Sequence, residues 1–211
     1  MRTLILVALA AGSTAFAPLP ADAPLLSYLQ VGSHRIAFEA DTVVEHGARL
    51  QLVPSTFADV SHALGPAVVG TRGDAGDAFG WMCYRLSGSQ RMSLLLESDE
   101  IHGVKWIGDF ELIRAGSHPS LERHCAALDV PATAVVSNTG LRLGLTRGEV
   151  QATLGIAGRD SADVVVYDRT RDMTMRTRDG RREPYTQSSG FTVRFVRGRV
   201  VEFSGYRLDA S

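Results

Sequence analysis

One stretch of this chain occurs twice in approximate form, and that duplication constrains its fold more than any other feature. TVVEHGARLQL at 42–52 corresponds to AVVSNTGLRLGL at 134–145, and ADVSHALGPA at 58–67 aligns with GEVQATLGIA at 148–157. Self-similarity of this kind indicates that one supersecondary unit is built twice. We therefore expect two tandem repeats within the 211 residues.

A short helix is predicted at the same place in each repeat. Thr146 and Glu149 have the spacing of a capping box, and Gly155 supplies the stop. Thr56 and Asp59 have the same spacing in the first repeat. The segments that follow alternate apolar and polar residues, which is typical of strands. The predicted fold class is therefore α+β, with two tandem repeats that each pack a short helix on one face of an antiparallel sheet.

These patterns divide the chain into four segments. Residues 1–17 are predicted to be a signal peptide, because Arg2 precedes an apolar run that ends in small residues. The first repeat, with an N-terminal extension, is expected over 18–115, and the second repeat over 134–211. The connector between them, 116–133, is predicted to carry a short helix, since Pro and apolar residues at helical spacing occur there.

The sequence leaves the end of the predicted signal peptide open. Ala15 and Ala17 fit a small-x-small cleavage pattern, but a cut after Ala17 would fall at the tertiary amide of Pro18, so cleavage after Ala15 or Ala23 stays open. The apolar run is well short of the roughly 20 residues that a membrane span needs. No cysteine follows it to accept a lipid. We expect a periplasmic or secreted protein with no membrane span and no lipid anchor.

The two cysteines of the chain are Cys83 and Cys125. An oxidising compartment lets such a pair persist as a disulfide, which here would link a strand to the connector. The alternative is two buried free thiols. A zinc site would need further ligands at a recognisable spacing, and none is visible in the sequence. We therefore expect a disulfide, no metal and no cofactor.

Charge is distributed unequally between the two predicted repeats. Residues 42–114 contain 6 Lys or Arg and 9 Asp or Glu, whereas residues 134–207 contain 13 and 8. Much of the excess lies in an insertion around a predicted Asp179-Gly180 hairpin turn. Arginines placed in this way suit an acidic partner, and the predicted binding residues are Arg176, Arg178, Arg181 and Arg182. The alternative is a solvated hairpin neutralised by its own interleaved carboxylates.

Two groups of titratable residues could support catalysis. Asp59 and His62 lie three apart on a predicted helix, and Glu97 begins an acidic cluster that continues through Asp99, Glu100, Asp109 and Glu111. No nucleophile motif accompanies either group. Gly140 to Gly155 also lacks the lysine and glycine spacing of a phosphate loop. We assign no catalytic residue and expect no enzyme activity, with an exported hydrolase using Asp59 and His62 or the Glu97 cluster as the alternative.

The stretch from Gly140 to Gly155, with its weaker copy at 47–65, resembles the repeats of the β-lactamase-inhibitor-protein fold and of the outer-membrane assembly lipoprotein family SmpA/OmlA (BamE). The resemblance implies an exported protein that packs helices on one sheet face and holds partner proteins through the other face or through loops. This chain lacks the lipid-accepting cysteine of the lipoprotein members. We expect an interaction module for an envelope or extracellular protein, and the net charge of −1 argues against a nucleic-acid partner.

Overall fold

The computed structural model of this chain describes residues 23–38, 41–45, 48–52, 54–73, 78–98, 106–176 and 181–210. Its three α-helices in that part of the chain are short, and they are α1 (Phe57–Leu64), α2 (Pro119–Glu122) and α3 (Arg147–Leu154). A 3₁₀ turn covers Ala132–Ala134. The predicted signal peptide, residues 1–17, lies outside the described residues.

Strands make up most of the described chain. They are β1 (Tyr28–Val31), β2 (His34–Ala37), β3 (Asp41–Glu45), β4 (Ala48–Leu52), β5 (Val69–Arg72), β6 (Phe79–Ser87), β7 (Met92–Glu97), β8 (Asp109–Arg114), β9 (Ala126–Pro131), β10 (Val135–Ser137), β11 (Arg159–Ser161), β12 (Val164–Arg176), β13 (Arg182–Val196) and β14 (Arg199–Ala210).

Nine of these strands form one large sheet. Eight run antiparallel in the order β11-β12-β13-β14-β8-β7-β6-β5, and β9 pairs in parallel with β6. The pairing of β8 with β14 joins the strands of the two predicted repeats, with Leu112 facing Phe203 and Asp109 facing Tyr206. A smaller sheet has the order β10-β1-β2, and β3 pairs with β4 as a hairpin. The large sheet therefore crosses the boundary between the predicted repeats without a break.

This architecture contradicts the predicted α+β class, because the chain is mostly β and is not divided into helix-on-sheet units. The helices α1 and α3 have eight residues each, whereas β12, β13 and β14 have 13, 15 and 12. The physical reason is that strand length depends on cross-strand partners far away in the sequence. Periodicity within one segment does not report those partners.

The two predicted capping boxes are confirmed. The side-chain oxygen of Thr56 accepts from the backbone N–H of Asp59 while the Asp59 carboxylate accepts from Thr56, and Thr146 and Glu149 make the same exchange in α3. Each box satisfies backbone donors that a helix start leaves unpaired. Gly155 ends α3 in the left-handed conformation, at φ 67°.

The connector contains one turn of helix and then a strand. The turn is α2, and the Glu122 carboxylate closes it by accepting from the backbone N–H groups of Gly116 (2.7 Å) and His118 (3.0 Å). The chain then extends as β9, in which Ala126 and Leu128 face Tyr84 and Leu86 of β6. A longer helix does not form because this segment finds ladder partners in β6.

The main core lies on one face of the large sheet and takes residues from both predicted repeats. Phe110 of β8 lies at its centre, with ring centroids 5.5 Å from Phe38, 6.5 Å from Phe191 and 5.6 Å from Phe203. The buried side chains of α1 and α3 belong to the same cluster. Aromatic rings in such arrangements bury large areas and prefer these tilted contacts.

The start of the described chain is also buried. Leu25 and Leu26 have no exposed surface. The backbone N–H of Leu25 donates to Ser189 Oγ (2.9 Å), and Arg169 Nη1 donates to the carbonyl of Ala23 (2.6 Å). Side chains of β12 and β13 thus hold the N-terminal segment through its backbone.

Strands β12 and β13 extend further than the strand beside them. Their pairing runs to Arg176 facing Arg182, whereas β14 follows β13 only as far as Thr186 facing Ala210. Beyond that pair, residues 173–176 and 182–185 form a two-stranded extension, which we name, together with Arg181 beside it, the distal ribbon. The predicted Asp179-Gly180 turn lies outside the described residues and stays a prediction.

Close backbone packing in the sheet gives a first prediction. A Cβ atom added at Gly190 would lie 2.7 Å from Tyr206 Cε1 and 2.8 Å from the backbone oxygen of Tyr167. Gly190→Ala should therefore lower the free energy of unfolding by about 2 kcal/mol through overpacking. Gly148→Ala is the control, because a Cβ in that helical position meets nothing within 4 Å, and it should be neutral or stabilising by up to about 1 kcal/mol.

Urea unfolding measures both effects. Equal midpoints for the wild type and Gly190→Ala would show that the sheet does not pack as described.

Candidate functional site

The face of the large sheet opposite the main core, which we name the outer face, is covered in one half and partly exposed in the other. In the first half, Trp81, Cys83 and Leu95 are buried there, and Leu121 and Cys125 of the connector pack against them. In the second half, the corresponding surface is partly exposed, as at Val166, Thr192, Ser204 and Tyr206. One half of the outer face is thus a small second core, and the other half meets solvent.

The predicted disulfide between Cys83 and Cys125 is confirmed. The cysteines are 42 residues apart in sequence, and their Cα atoms are 4.5 Å apart. The bond ties the connector to the middle of β6. The ring of His124, beside Cys125, lies 6.1 Å from the Trp81 ring. The disulfide therefore holds the cover of the second core in place.

Four titratable side chains, those of Arg72, Glu97, Glu111 and His118, meet beside this cover, and we name them the carboxylate cluster. Arg72 Nη2 donates to Glu97 Oε2 at 2.8 Å, and Glu111 Oε2 lies 3.0 Å from His118 Nε2. Strand alternation places both glutamates on the outer face, and the connector supplies the histidine. The cluster thus links β5, β7, β8 and the connector.

The environment of Glu97 is unusual for a carboxylate. Its residue surface is only 7% exposed, and its Oε1 has no hydrogen-bond partner among the described residues. Burial raises the pKa of Glu97, because it disfavours the charged form. Arg72 opposes this rise, while the nearby Glu111 adds to it. Glu97 therefore holds its proton to a higher pH than an ordinary glutamate.

A pair of carboxylates in unlike environments can support acid–base chemistry, but a substrate must reach both. Two cavities, of about 430 and 300 Å³, lie on the described surface, and neither is lined by Glu97 or Glu111. Asp99 and Glu100, which were predicted to join the cluster, lie outside the described residues. The observed contacts instead suit the cluster to hold the connector against the sheet.

Asp59 and His62 do not form an active-site pair of this kind. The Asp59 carboxylate accepts from the backbone N–H and the hydroxyl of Thr56, at 2.8 and 2.7 Å. These bonds hold the pKa of Asp59 below its ordinary value, and His62 makes only a small further contribution. Both side chains are exposed on α1. Asp59 therefore serves as the partner of Thr56 in the capping box of α1.

The structure places two of the four predicted binding arginines on an exposed surface. Arg181 and Arg182 are exposed on the distal ribbon. Arg176 faces Arg182 across the ribbon by backbone register, and Arg178 lies outside the described residues. Arg171 belongs to the same sequence cluster but donates to Gln187 Oε1 at 2.6 Å. The arginine cluster thus includes Arg171, bonded to Gln187, and Arg181 and Arg182, whose surfaces are exposed.

The sequence did not indicate the pairing of His118 with Glu111. In the sequence, His118 lies near His124 and Cys125, and this spacing does not indicate Glu111 as its partner. Its partner comes from β8, across a turn, and is set by the strand register. A pattern search within one helix or strand does not detect a contact of this kind.

Comparison with known proteins gives no identification: no protein-family model, no curated protein and no solved structure matches this chain. The resemblance to the β-lactamase-inhibitor-protein and SmpA/OmlA repeats stays a prediction. Within the described residues, no helix is long and apolar enough to cross a membrane.

The disulfide gives a second prediction. The double replacement of Cys83→Ser and Cys125→Ser removes a bond between residues that are 42 apart in sequence. It should lower the free energy of unfolding by about 4 kcal/mol on the chain-entropy estimate. Trp81 should also become more exposed. Its fluorescence can be isolated in a Trp106→Phe background, since the chain has two tryptophans.

Reduced wild-type protein is the matched comparison. It should unfold at the midpoint of the double variant, and a midpoint unchanged by reduction would contradict a stabilising role for the bond.

Glu97 gives a third prediction, on pH dependence. Because its folded pKa is raised above 4.5, the wild type loses stability as pH rises through that folded pKa. Glu97→Gln removes this loss, so the variant should gain stability relative to the wild type as pH rises. Glu149→Gln should behave oppositely, because its pKa is lowered by bonds from Thr146 and its contribution to stability is lost as pH falls.

Urea unfolding across a pH series checks both variants. Parallel pH profiles for Glu97→Gln and the wild type would contradict the buried-carboxylate assignment.

Proposed function

We propose that this chain is an exported protein-interaction module that binds an acidic partner without catalysis. Its contact surface is the distal ribbon together with the partly exposed outer face beside it. The observation that carries the proposal is the arginine-rich end of the β12–β13 pairing, where Arg176 faces Arg182 and where Arg181 and Arg182 are exposed.

The charge of this extension favours an acidic partner. Residues 169–185 contain six arginines and three acidic residues. Arg169 and Arg171 form hydrogen bonds within the chain, and Arg181 and Arg182 have exposed surfaces on the distal ribbon. A guanidinium group can form two parallel hydrogen bonds with a carboxylate, so exposed arginines suit a surface of Asp and Glu side chains.

The outer face of the second half supplies an adjoining surface. Tyr206 is partly exposed there. The ion pair of Arg159 with Asp168, at 2.8 Å, lies near Tyr206, and the pair of Arg194 with Glu202, at 3.1 Å, lies further along the same strands. A surface of one aromatic side chain among polar groups resembles the rim of a protein interface, in which charged pairs set orientation more than affinity.

The Cys83–Cys125 disulfide supports export, because such bonds persist mainly in oxidising compartments. The apolar run preceded by Arg2 also supports export. We therefore place the protein in the periplasm or outside the cell, with an envelope or extracellular protein as its partner.

An exported hydrolase that uses Glu97 is the second candidate, and the raised pKa of that residue favours it. This reading requires Glu97 to meet a substrate, although its residue surface is 7% exposed and one oxygen is bonded to Arg72. The interaction module needs no such access.

The fourth prediction tests the distal ribbon by crosslinking in cells that export the protein. Replacing Arg176, Arg178, Arg181 and Arg182 with alanine should reduce crosslinking to the partner on the order of tenfold or more, because each lost charge contact weakens an electrostatic interface. The control replaces four exposed arginines elsewhere, namely Arg35, Arg123, Arg142 and Arg197.

The control should keep its partners, and raising the salt concentration should weaken the wild-type contact. Recovery of the same partners in equal amounts from the ribbon variant would remove the ribbon as the contact surface.

A further inference from the structure

Strand β6 separates from β9 at a register shift near its end. Arg85 faces Ala127 and Leu86 faces Leu128, but the next residue, Ser87, faces Pro131. The intervening residues of β9 therefore lack partners on β6. Irregularities of this kind interrupt the ladder and frequently occur next to binding sites.

Two cavities adjoin at this shift. The larger, of about 430 Å³, is lined by Arg85, Leu86, Ser87, Gly88, Arg91 and Ala115. The smaller, of about 300 Å³, shares the first three of these residues and is completed by β9, including Asp129. The shared residues place the two cavities side by side at the end of β6, and we name this pair of cavities the depression.

The charges of this depression are separated along its length. The larger cavity has two arginines and no carboxylate in its lining, whereas the smaller contains Asp129. Arg85 Nη2 donates to the carbonyl of Glu122 at 3.3 Å, which orients the guanidinium and leaves most of its five donors available. Within the described part of the chain, neither Arg85 nor Arg91 forms an ion pair.

Arg91 has an uncommon backbone conformation. Its φ is +47°, in the left-handed region that residues other than glycine rarely adopt. The backbone N–H of Ala115 donates to its carbonyl at 2.7 Å and holds the conformation. Strained residues of this kind are concentrated at functional sites.

We propose that this depression binds a carboxylate whose α-carbon carries an N–H group. The carboxylate lies against Arg85 and Arg91, and the nitrogen faces Asp129. Free amino acids and the carboxyl ends of peptides share this chemistry. The site uses no residue of the distal ribbon, so its test does not depend on the proposed function.

Titration of the folded, oxidised protein with small probes, followed by backbone amide NMR, tests the site. Leucine and N-acetyl-leucine should bind saturably and shift the amides of Ser87 and Gly88. Leucine amide, which lacks the carboxylate, should not bind. Binding to N-acetyl-leucine alone would assign the site to peptide ends, and stronger binding of leucine would assign it to free amino acids.

Variants locate the contacts. Arg85→Gln, alone and with Arg91→Gln, should weaken binding about tenfold or more, since a charged hydrogen bond is lost, and Arg123→Gln should leave it unchanged. Asp129→Asn should weaken binding of leucine more than of N-acetyl-leucine. The proposal would be overturned if leucine amide or inorganic phosphate bound as tightly as the two carboxylate probes. It would also be overturned if the folded Arg85→Gln variant kept the wild-type affinity, or if neither carboxylate probe bound saturably.

Discussion

The pairing of β8 with β14 is the interaction on which the rest of the structure depends. It joins the five strands β5 to β9 to the four strands β11 to β14 in one sheet, and Phe110 lies at this pairing. The ring of Phe110 contacts Phe38 near the start of the chain and both Phe191 and Phe203 near its end. Because packed interiors respond to small changes in fit, a shift at this pairing would disturb the main core on both sides.

The continuous sheet also explains why its outer face differs between the halves. The connector must return from the end of β8 to the start of the second predicted repeat, and it crosses the first half as it does so. The disulfide and the pair of His118 with Glu111 hold it there. Among the residues that the structure describes, no comparable cover lies over Tyr206, which is partly exposed. The surface proposed for a partner is thus the half of the sheet that the connector leaves open.

Features that depend on near neighbours could be predicted from the sequence. The capping boxes at Thr56 and Thr146 follow from a three-residue spacing, and the disulfide follows from having two cysteines in a chain that we predicted to be exported. The fold class was wrong because long strands such as β13 are stabilised by partners distant in the sequence. The contact between His118 and Glu111 was missed for the same reason.

Native-state hydrogen exchange tests the continuous sheet most directly. The account predicts that amides paired between β8 and β14, from Asp109 to Leu112 and from Phe203 to Tyr206, exchange only through global unfolding, with one common free energy. Amides of β7 and β13 should share that value. Exchange of the β8–β14 amides at a clearly lower free energy, with the two halves protected separately, would contradict it.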